Sequence, residues 1–311
     1  MNAITSDTPG QLFMAFANAN RRTEQTATCP LDSLFEDFYA KFIIPCAEWA
    51  TAGNIPKAPP RTVFYPFAGP DILFPLAMFP DARNFILVGR ERWGQATPDV
   101  SAFSVDSITE TLRHYLHTSF FVTADLDADL HRYSLPGIVP LLLTQLIRTG
   151  YSIHAVETTA NGSGGSISFG SPDDPFRLQY FCQDMRDEYL SPETDLMRCL
   201  AEDSFITLVK SASYLLHEPN FSQLTQFIIT RTSLLVQDPS GLPFELLAKN
   251  GWSTALHGCF VRDIPLFAQK YDQADLRAAY QASGPKQSLP FGFGYLKIPE
   301  SAAIIVGTPK G

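Results

Sequence analysis

Lys210, Tyr214 and His217 lie close together in LVKSASYLLH (208–217). At helical spacing the lysine and tyrosine are i, i+4, and the tyrosine and histidine are i, i+3. An ammonium beside a phenol lowers the phenol's pKa, and a tyrosine tuned in this way can do general acid–base work. Asp238 follows another apolar run, in VQDPSGLPF (236–244). These four residues are the candidate catalytic set. A structural reading competes with it: a tyrosine packed on a sheet, a histidine facing solvent, and an Asp-Pro-Ser-Gly turn in which Pro and Gly fix the chain and Asp caps it.

A second set lies in VFYPFAGPDILFPLAMFPDARNFILVGRE (63–91), which reads as strand, turn, short helix and second strand. Gly69 permits close approach of a ligand to the backbone, and Asp71 opens the helix. Glu91 closes the second strand, where nucleotide-binding folds place an acid for ribose hydroxyls. Gly69, Asp71 and Glu91 are therefore candidate cofactor-binding residues. The turn is not a phosphate cradle of the G-x-G-x-x-G type, since it has one glycine and Pro70 has no N–H to donate. The structural alternative is a chain reversal at Gly69, Pro70 in the first helical turn, Asp71 complementing the dipole, and Glu91 paired with Arg90 or Arg92 at the surface.

Metal chemistry has weaker footing. Asp125, Asp127 and Asp129 alternate in DLDADLH (125–131), and in an extended loop they would face one way and suit Mg²⁺ or Ca²⁺. The run fails as an EF-hand, with Leu130 at the glycine position and Pro136 at the final glutamate position. His114 and His117 share a helical face without a third ligand, so no metal site is assigned. No G-x-S-x-G, P-loop or H-E-x-x-H occurs.

These residues need a scaffold, and the apolar patterning supplies one. Leu34, Phe35, Phe38, Tyr39, Phe42 and Ile43 predict a helix from Asp32 that Pro45 kinks or ends, followed by a Pro-rich connector, GNIPKAPPR (53–61). Thr62–Phe67, Asn84–Val88, Phe120–Thr123, Tyr151–Val156, Phe205–Val209, Leu234–Val236, Ser253–Val261 and Ala302–Val306 read as strands. Between them fall helices near 107–116, 137–149, 191–200, 221–230 and 276–280. TTANGSGGS (158–166) reads as a linker, and Ile167–Cys182 as a hairpin turning at SPDDP. The expected architecture is α/β: a Rossmann-like, mostly parallel sheet with a helical N-terminal arm and an antiparallel hairpin insertion. Residues 1–60 form the arm and connector. Residues 61–311 form one α/β domain, with the hairpin at about 158–185. In such sheets ligands bind beyond the carboxyl ends of the strands, where Gly69, Glu91, Lys210 and Asp238 all fall.

Bulk properties narrow the partners. The chain of 311 residues carries a net charge of −9 without a basic run, which disfavours nucleic acid and anionic membrane surfaces. No apolar stretch is long enough to span a bilayer, and the N-terminus has no signal-peptide pattern, so a soluble cytoplasmic protein is expected unless the chain is a mature exported form. The five cysteines are scattered and odd in number, which suits reduced thiols.

Pro66-Phe67-Ala68-Gly69 and Glu91 resemble class I S-adenosylmethionine-dependent methyltransferases, in which a small-residue turn follows the first strand and an acid ends the second. The turn is similar to the D-P-F-x-G-x-G of DNA methyltransferases, with Tyr65 in place of the leading Asp and Asp71 in place of the last Gly. No N/D-P-P-Y motif is present. This likeness covers about thirty residues and implies S-adenosylmethionine as cofactor. YPFAGPD (65–71), LVKSASYLLH (208–217) and VQDPSGLPF (236–244) together resemble a family of uncharacterised bacterial proteins over most of residues 60–300. That likeness implies a bacterial source and a single domain, and no activity. Some members of that family are exported, whereas this chain has no signal pattern. The leading expectation is a small-molecule site of methyltransferase type. The alternatives are a non-catalytic binding or assembly protein on the same fold, and a metal-dependent hydrolase using the 125–131 segment.

Overall fold

The computed structural model describes residues 30–57, 61–97, 99–201, 204–284 and 286–310. Residues 1–29 and the end of the Pro-rich connector lie outside them. Among the described residues nine strands form one sheet in the order β3-β4-β5-β2-β1-β6-β7-β9-β8. They are β1 (Thr62–Tyr65), β2 (Asn84–Gly89), β3 (Ile153–Thr158), β4 (Gly164–Ser171), β5 (Asp174–Cys182), β6 (Phe205–Val209), β7 (Thr232–Gln237), β8 (Trp252–Gly258) and β9 (Ala303–Pro309). The centre, β5-β2-β1-β6-β7, is parallel. At one side β9 pairs antiparallel with β7 and β8 with β9; at the other β4 pairs antiparallel with β5 and β3 with β4. The chain runs outward from β1 through β2 to β5, then returns to β6 on the other side of β1. The sheet is thus an α/β, Rossmann-like one, with its reversal of strand order between β1 and β6.

Alternation along each central strand feeds a core on both faces. Val63, Tyr65, Phe85 and Leu87 face one cluster; Phe64, Ile86 and Val88 face the other. Among the described residues the helices are α1 (Pro30–Phe38), α2 (Ile44–Trp49), α3 (Leu73–Met78), α4 (Val105–Thr118), α5 (Thr123–Arg132), α6 (Val139–Arg148), α7 (Asp195–Leu200), α8 (Ser222–Arg231), α9 (Phe244–Lys249) and α10 (Ala274–Ala282). Helices α1 to α6 cover the first cluster; α7 to α10 cover the second. Pro45 does not end the N-terminal helix. A π turn at Tyr39–Ile43 joins α1 to α2, and a second at Ala50–Asn54 carries the helix on to Gly53 at φ 89°. The wider π turn tolerates a residue that cannot donate a backbone hydrogen bond.

Four expectations need correction. Phe120–Thr123 is not a strand: Ser119 closes α4 in the left-handed region at φ 67°, and α5 begins at Thr123. DLDADLH therefore lies in α5, whose Leu126 and Leu130 are buried four residues apart. Successive helical residues turn by about 100°, so Asp125, Asp127 and Asp129 point different ways and do not form the cation loop. Asp127 and Asp129 instead lie near His131 and Arg132 at 3.9 and 3.7 Å. The helical spacing of Lys210, Tyr214 and His217 does not bring the three together either, because Ser211, Ser213 and Tyr214 all have positive φ and Leu215–His217 alone forms a short 3₁₀ turn. Finally, GSGGS is not all linker: Gly164 and Gly165 start β4, where a Cβ would strike the Tyr180 carbonyl at Gly164 and the Trp93 ring at Gly165. The expected hairpin is present, and its return strand β5 joins the parallel sheet beside β2.

Candidate functional site

The loops after β1, β2, β5 and β6 enclose a cleft of about 870 Å³ at the reversal of strand order. This volume is in the range of small-molecule sites, and the position is where α/β sheets bind ligands. Gly69 from the first loop, Gly89 and Arg90 from the second, Gln183 and Asp184 from the third, and Ser211–Ser213 from the fourth all line it.

The floor is built by close approach. The Gly69 amide donates to the Val88 carbonyl at 3.3 Å, and Gly69 itself takes φ 53°. A Cβ at Gly89 would lie 3.0 Å from the Gly69 Cα and would collide with the Tyr180 hydroxyl and Glu91 carboxylate. Glu91 is buried behind these glycines rather than paired at the surface with Arg90 or Arg92. Its Oε2 accepts from the Tyr180 hydroxyl (3.1 Å) and the Arg90 amide (3.1 Å), while Oε1 has no partner among the described residues. Tyr180 also donates to the Glu91 carbonyl at 2.8 Å. Burial beside this carboxylate pushes the Tyr180 phenol well above its ordinary range, so it stays a donor. Gly89→Ala is expected to destabilise the protein by about 1–3 kcal/mol, as overpacking does. Urea denaturation would measure it, and an alanine variant of native stability would contradict this seating of Glu91.

Asp71 and Lys210 meet, but below the cleft. Their side chains are buried and form an ion pair at 2.7 Å. The Tyr65 and Tyr115 hydroxyls donate to Asp71 at 3.0 and 2.7 Å. Lys210 also donates to the Ser119 carbonyl and stands 4.2 Å from the Phe74 ring centre. This pair joins the β1 turn to the end of β6, across the reversal point. Burial next to Asp71 raises the Tyr65 and Tyr115 phenols well above their usual values.

Asp238, fully buried, pins the β6 loop. It accepts from the Ser211 amide (3.1 Å), the Ser240 amide (3.0 Å) and the Ser240 hydroxyl (2.6 Å). Ser240 Oγ in turn accepts from the Ala212 amide at 2.9 Å. Desolvation raises the Asp238 pKa, opposed by these hydrogen bonds and by Lys210.

Tyr214 turns away from Lys210. Its ring is stacked on Tyr271 with centroids 4.6 Å apart, and its hydroxyl accepts from Gln273 at 3.2 Å. Desolvation pushes its phenol up, the opposite of the tuning expected from a neighbouring ammonium. His217 packs edge-on to Tyr214 at 5.0 Å, and burial lowers its pKa. The structure therefore groups Gly69 with Glu91, and Asp71 with Lys210. It places Asp238 beneath the cleft wall and Tyr214 with His217 behind it. Of the seven candidates, Gly69 lines the cleft.

Several cleft residues were not among the candidates. Asp184 accepts a bidentate guanidinium from Arg186 (2.8 and 3.1 Å) and pairs with Arg90 at 3.2 Å, which together hold its carboxyl below the usual range. It stands two residues past the end of β5, as Glu91 stands two past β2, so the same positional signal marks both. Ser213 and Tyr295 share a hydroxyl–hydroxyl hydrogen bond, and Tyr295 also donates to the Ser211 carbonyl at 2.9 Å. Phe67, Phe121, Phe221 and Phe267 add aromatic walls. No group of three or more metal-ligating side chains occurs among the described residues, and no helix among them is long and apolar enough to cross a membrane.

No protein-family model matches the chain, and no curated protein matches it in sequence. Among solved structures it is similar to the plantazolicin methyltransferase BpumL in complex with SAH. The identity is 7%, the match covers 97% of this chain and 95% of that one, and the TM-score is 0.32.

Proposed function

We propose that the cleft binds an adenosyl small molecule of the S-adenosylmethionine type, and that the protein is a methyltransferase-like enzyme. The observation that carries this reading is the pairing of Gly69 and Gly89 on the cleft floor, backed by the Glu91 carboxylate, at the β1/β6 reversal. The donor set fits the group. Glu91 Oε1 is a buried acceptor without a partner among the described residues, and a ribose hydroxyl is the kind of donor it lacks. Half-buried aromatic faces, Phe67 and Phe121 among them, suit a flat heteroaromatic base.

When bound, S-adenosylmethionine supplies an activated methyl group for transfer to a nucleophile. The chain's own part is to bind and orient. Gly69 and Gly89 form the floor against which the ligand rests, and Oε1 of Glu91, just behind that floor, is the acceptor offered to its hydroxyls. The Phe67 and Phe121 rings keep water from the base. Lys210 and Asp71 brace the floor from below. Asp238, Tyr214 and His217 support the Ser211–Ser213 wall, acting through it rather than on a substrate.

Calorimetric titration of the full chain with S-adenosylhomocysteine tests the reading. Binding is expected, and Glu91→Gln should weaken it about tenfold or more, since a hydrogen bond to a charged group is worth about 1.5–3 kcal/mol. The melting temperature of the ligand-free variant reports separately on folding. Undetectable binding by a folded native protein would reject the adenosyl reading, and unchanged affinity in Glu91→Gln would remove Glu91 from the site.

A second reading has its own observation. Lys210, Tyr214, His217 and Asp238, the residues whose types suit catalysis, do not line the cleft. That arrangement fits a ligand-binding module without chemistry on a Rossmann-like scaffold. S-adenosylhomocysteine binding without methyl transfer to any acceptor would favour it.

A further inference from the structure

The cleft extends past the glycine floor. Beyond the end of β6 it continues between the Ser211–Ser213 loop and the segment that carries Leu266, Phe267 and Lys270. The walls of this outer half are apolar and aromatic. Tyr295 stands edge-on to both Phe120 and Phe267, with centroids 4.9 and 5.1 Å apart. Leu266 at the rim is 72% exposed, an apolar side chain left in water where the cleft opens.

The charges of the whole cleft are already satisfied. Arg90 and Arg186 both pair with Asp184, and Lys270 pairs with Glu218, which also accepts from Tyr271. Every charged residue lining the cleft has an opposite charge beside it. A charged ligand in the outer half would give up its hydration and find no free counter-charge among the residues that line it, which makes its burial costly. The nearest unpaired cation among the described residues is Lys297, outside the lining and over the Phe120 ring at 5.4 Å. A flat uncharged molecule loses little on entry and gains aromatic contact. One polar feature faces it: the Tyr295–Ser213 hydroxyl pair, at the junction with the inner half.

We infer that the outer half of the cleft is a second subsite for an uncharged, flat, apolar small molecule bearing a hydroxyl or similar polar group, which the Tyr295–Ser213 pair orients. The inference rests on the adenosyl reading only for its role: with a sulfonium methyl donor in the inner half, this molecule is the acceptor. Its hydroxyl oxygen takes the methyl as the S–CH3 bond breaks, with S-adenosylhomocysteine as the leaving group and the hydroxyl proton released to solvent. The chemistry of the walls also separates it from a nucleic-acid or acidic-peptide acceptor, both of which would require several unpaired cations where Lys297 stands alone at the edge of Phe120.

The test uses the full chain and two probes of equal shape, 2-naphthol and 2-naphthoate, titrated calorimetrically with and without saturating S-adenosylhomocysteine. The naphthol is expected to bind, and the naphthoate at least about tenfold more weakly. Phe267→Ala should weaken the naphthol about tenfold. Because Phe267 also packs on Tyr214, the exposed rim variant Leu266→Asp is the companion: it leaves the fold intact and should weaken the naphthol as well. Equal binding of the two probes, or naphthol binding indifferent to both variants, would overturn the subsite. So would the absence of naphthol binding to a protein that binds S-adenosylhomocysteine. Naphthol binding that meets these criteria in a protein that does not bind S-adenosylhomocysteine would keep the subsite and reject the adenosyl reading instead.

Discussion

Lys210→Met is expected to cost about 3–5 kcal/mol of folding stability, the usual loss when one member of a buried ion pair is removed. The reason is local. Asp71 would keep the Tyr65 and Tyr115 donors but lose the ammonium 2.7 Å away, in a site without water access. Ser119, which closes α4, would lose the donor to its carbonyl. Adding Asp71→Asn should recover part of the loss, because an amide oxygen still accepts from a tyrosine and no charge is left behind. A double-mutant cycle by urea denaturation measures this coupling. Strict additivity would mean that the pair is not a strut between β1 and β6. The wild-type pair need not be more stable than an apolar replacement; the prediction concerns breaking it. With the strut gone, the Gly69 turn and the Ser211 loop should also lose their fixed spacing, so ligand affinity is expected to fall with stability.

The sheet is legible in the sequence because β1, β2, β6 and β7 are short, nearly continuous apolar runs, the mark of strands covered on both faces. Their carboxyl ends point to the right edge of the molecule, and Gly69 lies in the cleft for that reason. The missed acid, Asp184, has a physical cause. Phe176, Leu178 and Tyr180 alternate with the polar Arg177 and Gln179, so β5 reads as the return arm of a hairpin. Nothing local reveals that its other edge pairs with β2. The Lys210–His217 segment fails differently. Spacing of i, i+3 and i, i+4 carries no information about φ. Here Ser211, Ser213 and Tyr214 are held left-handed within a loop tied by partners far away in sequence: Asp238, Ser240, Gln273 and Tyr295. The DLDADLH segment carries a helical signal in Leu126 and Leu130, four residues apart, but the alternation of its acids is a loop pattern as well.

Asp238→Ala is expected to be the other severe variant, and it should damage the site more selectively than Lys210→Met. Non-glycine residues in the left-handed region cost about 1–3 kcal/mol each and persist only where their surroundings over-determine them. Ser211, Ser213 and Tyr214 are three such residues in a row of four, and Asp238 is the acceptor that holds the first of them. Without it the buried Ser240 amide and the part-buried Ser211 amide lose their acceptor, at about 1–3 kcal/mol for the first and no more than that for the second. The loop then has reason to relax, and the wall made by Ser211–Ser213 moves with it. A loss of about 1–6 kcal/mol is expected on that basis, together with loss of naphthol binding in the outer subsite. The pH dependence gives an independent reading. The folded-state pKa of Asp238 is raised, chiefly by desolvation, so the folded protein binds this proton more tightly than the unfolded chain does. The contribution is therefore most favourable below the ordinary carboxylate pKa and declines as pH rises through the raised value. The wild-type stability curve should carry that acid-side component, and Asp238→Ala should remove it. If the variant shows the same slope above the normal carboxylate range, the titrating group is elsewhere. If it retains naphthol binding at full strength, the Ser211–Ser213 wall does not depend on Asp238.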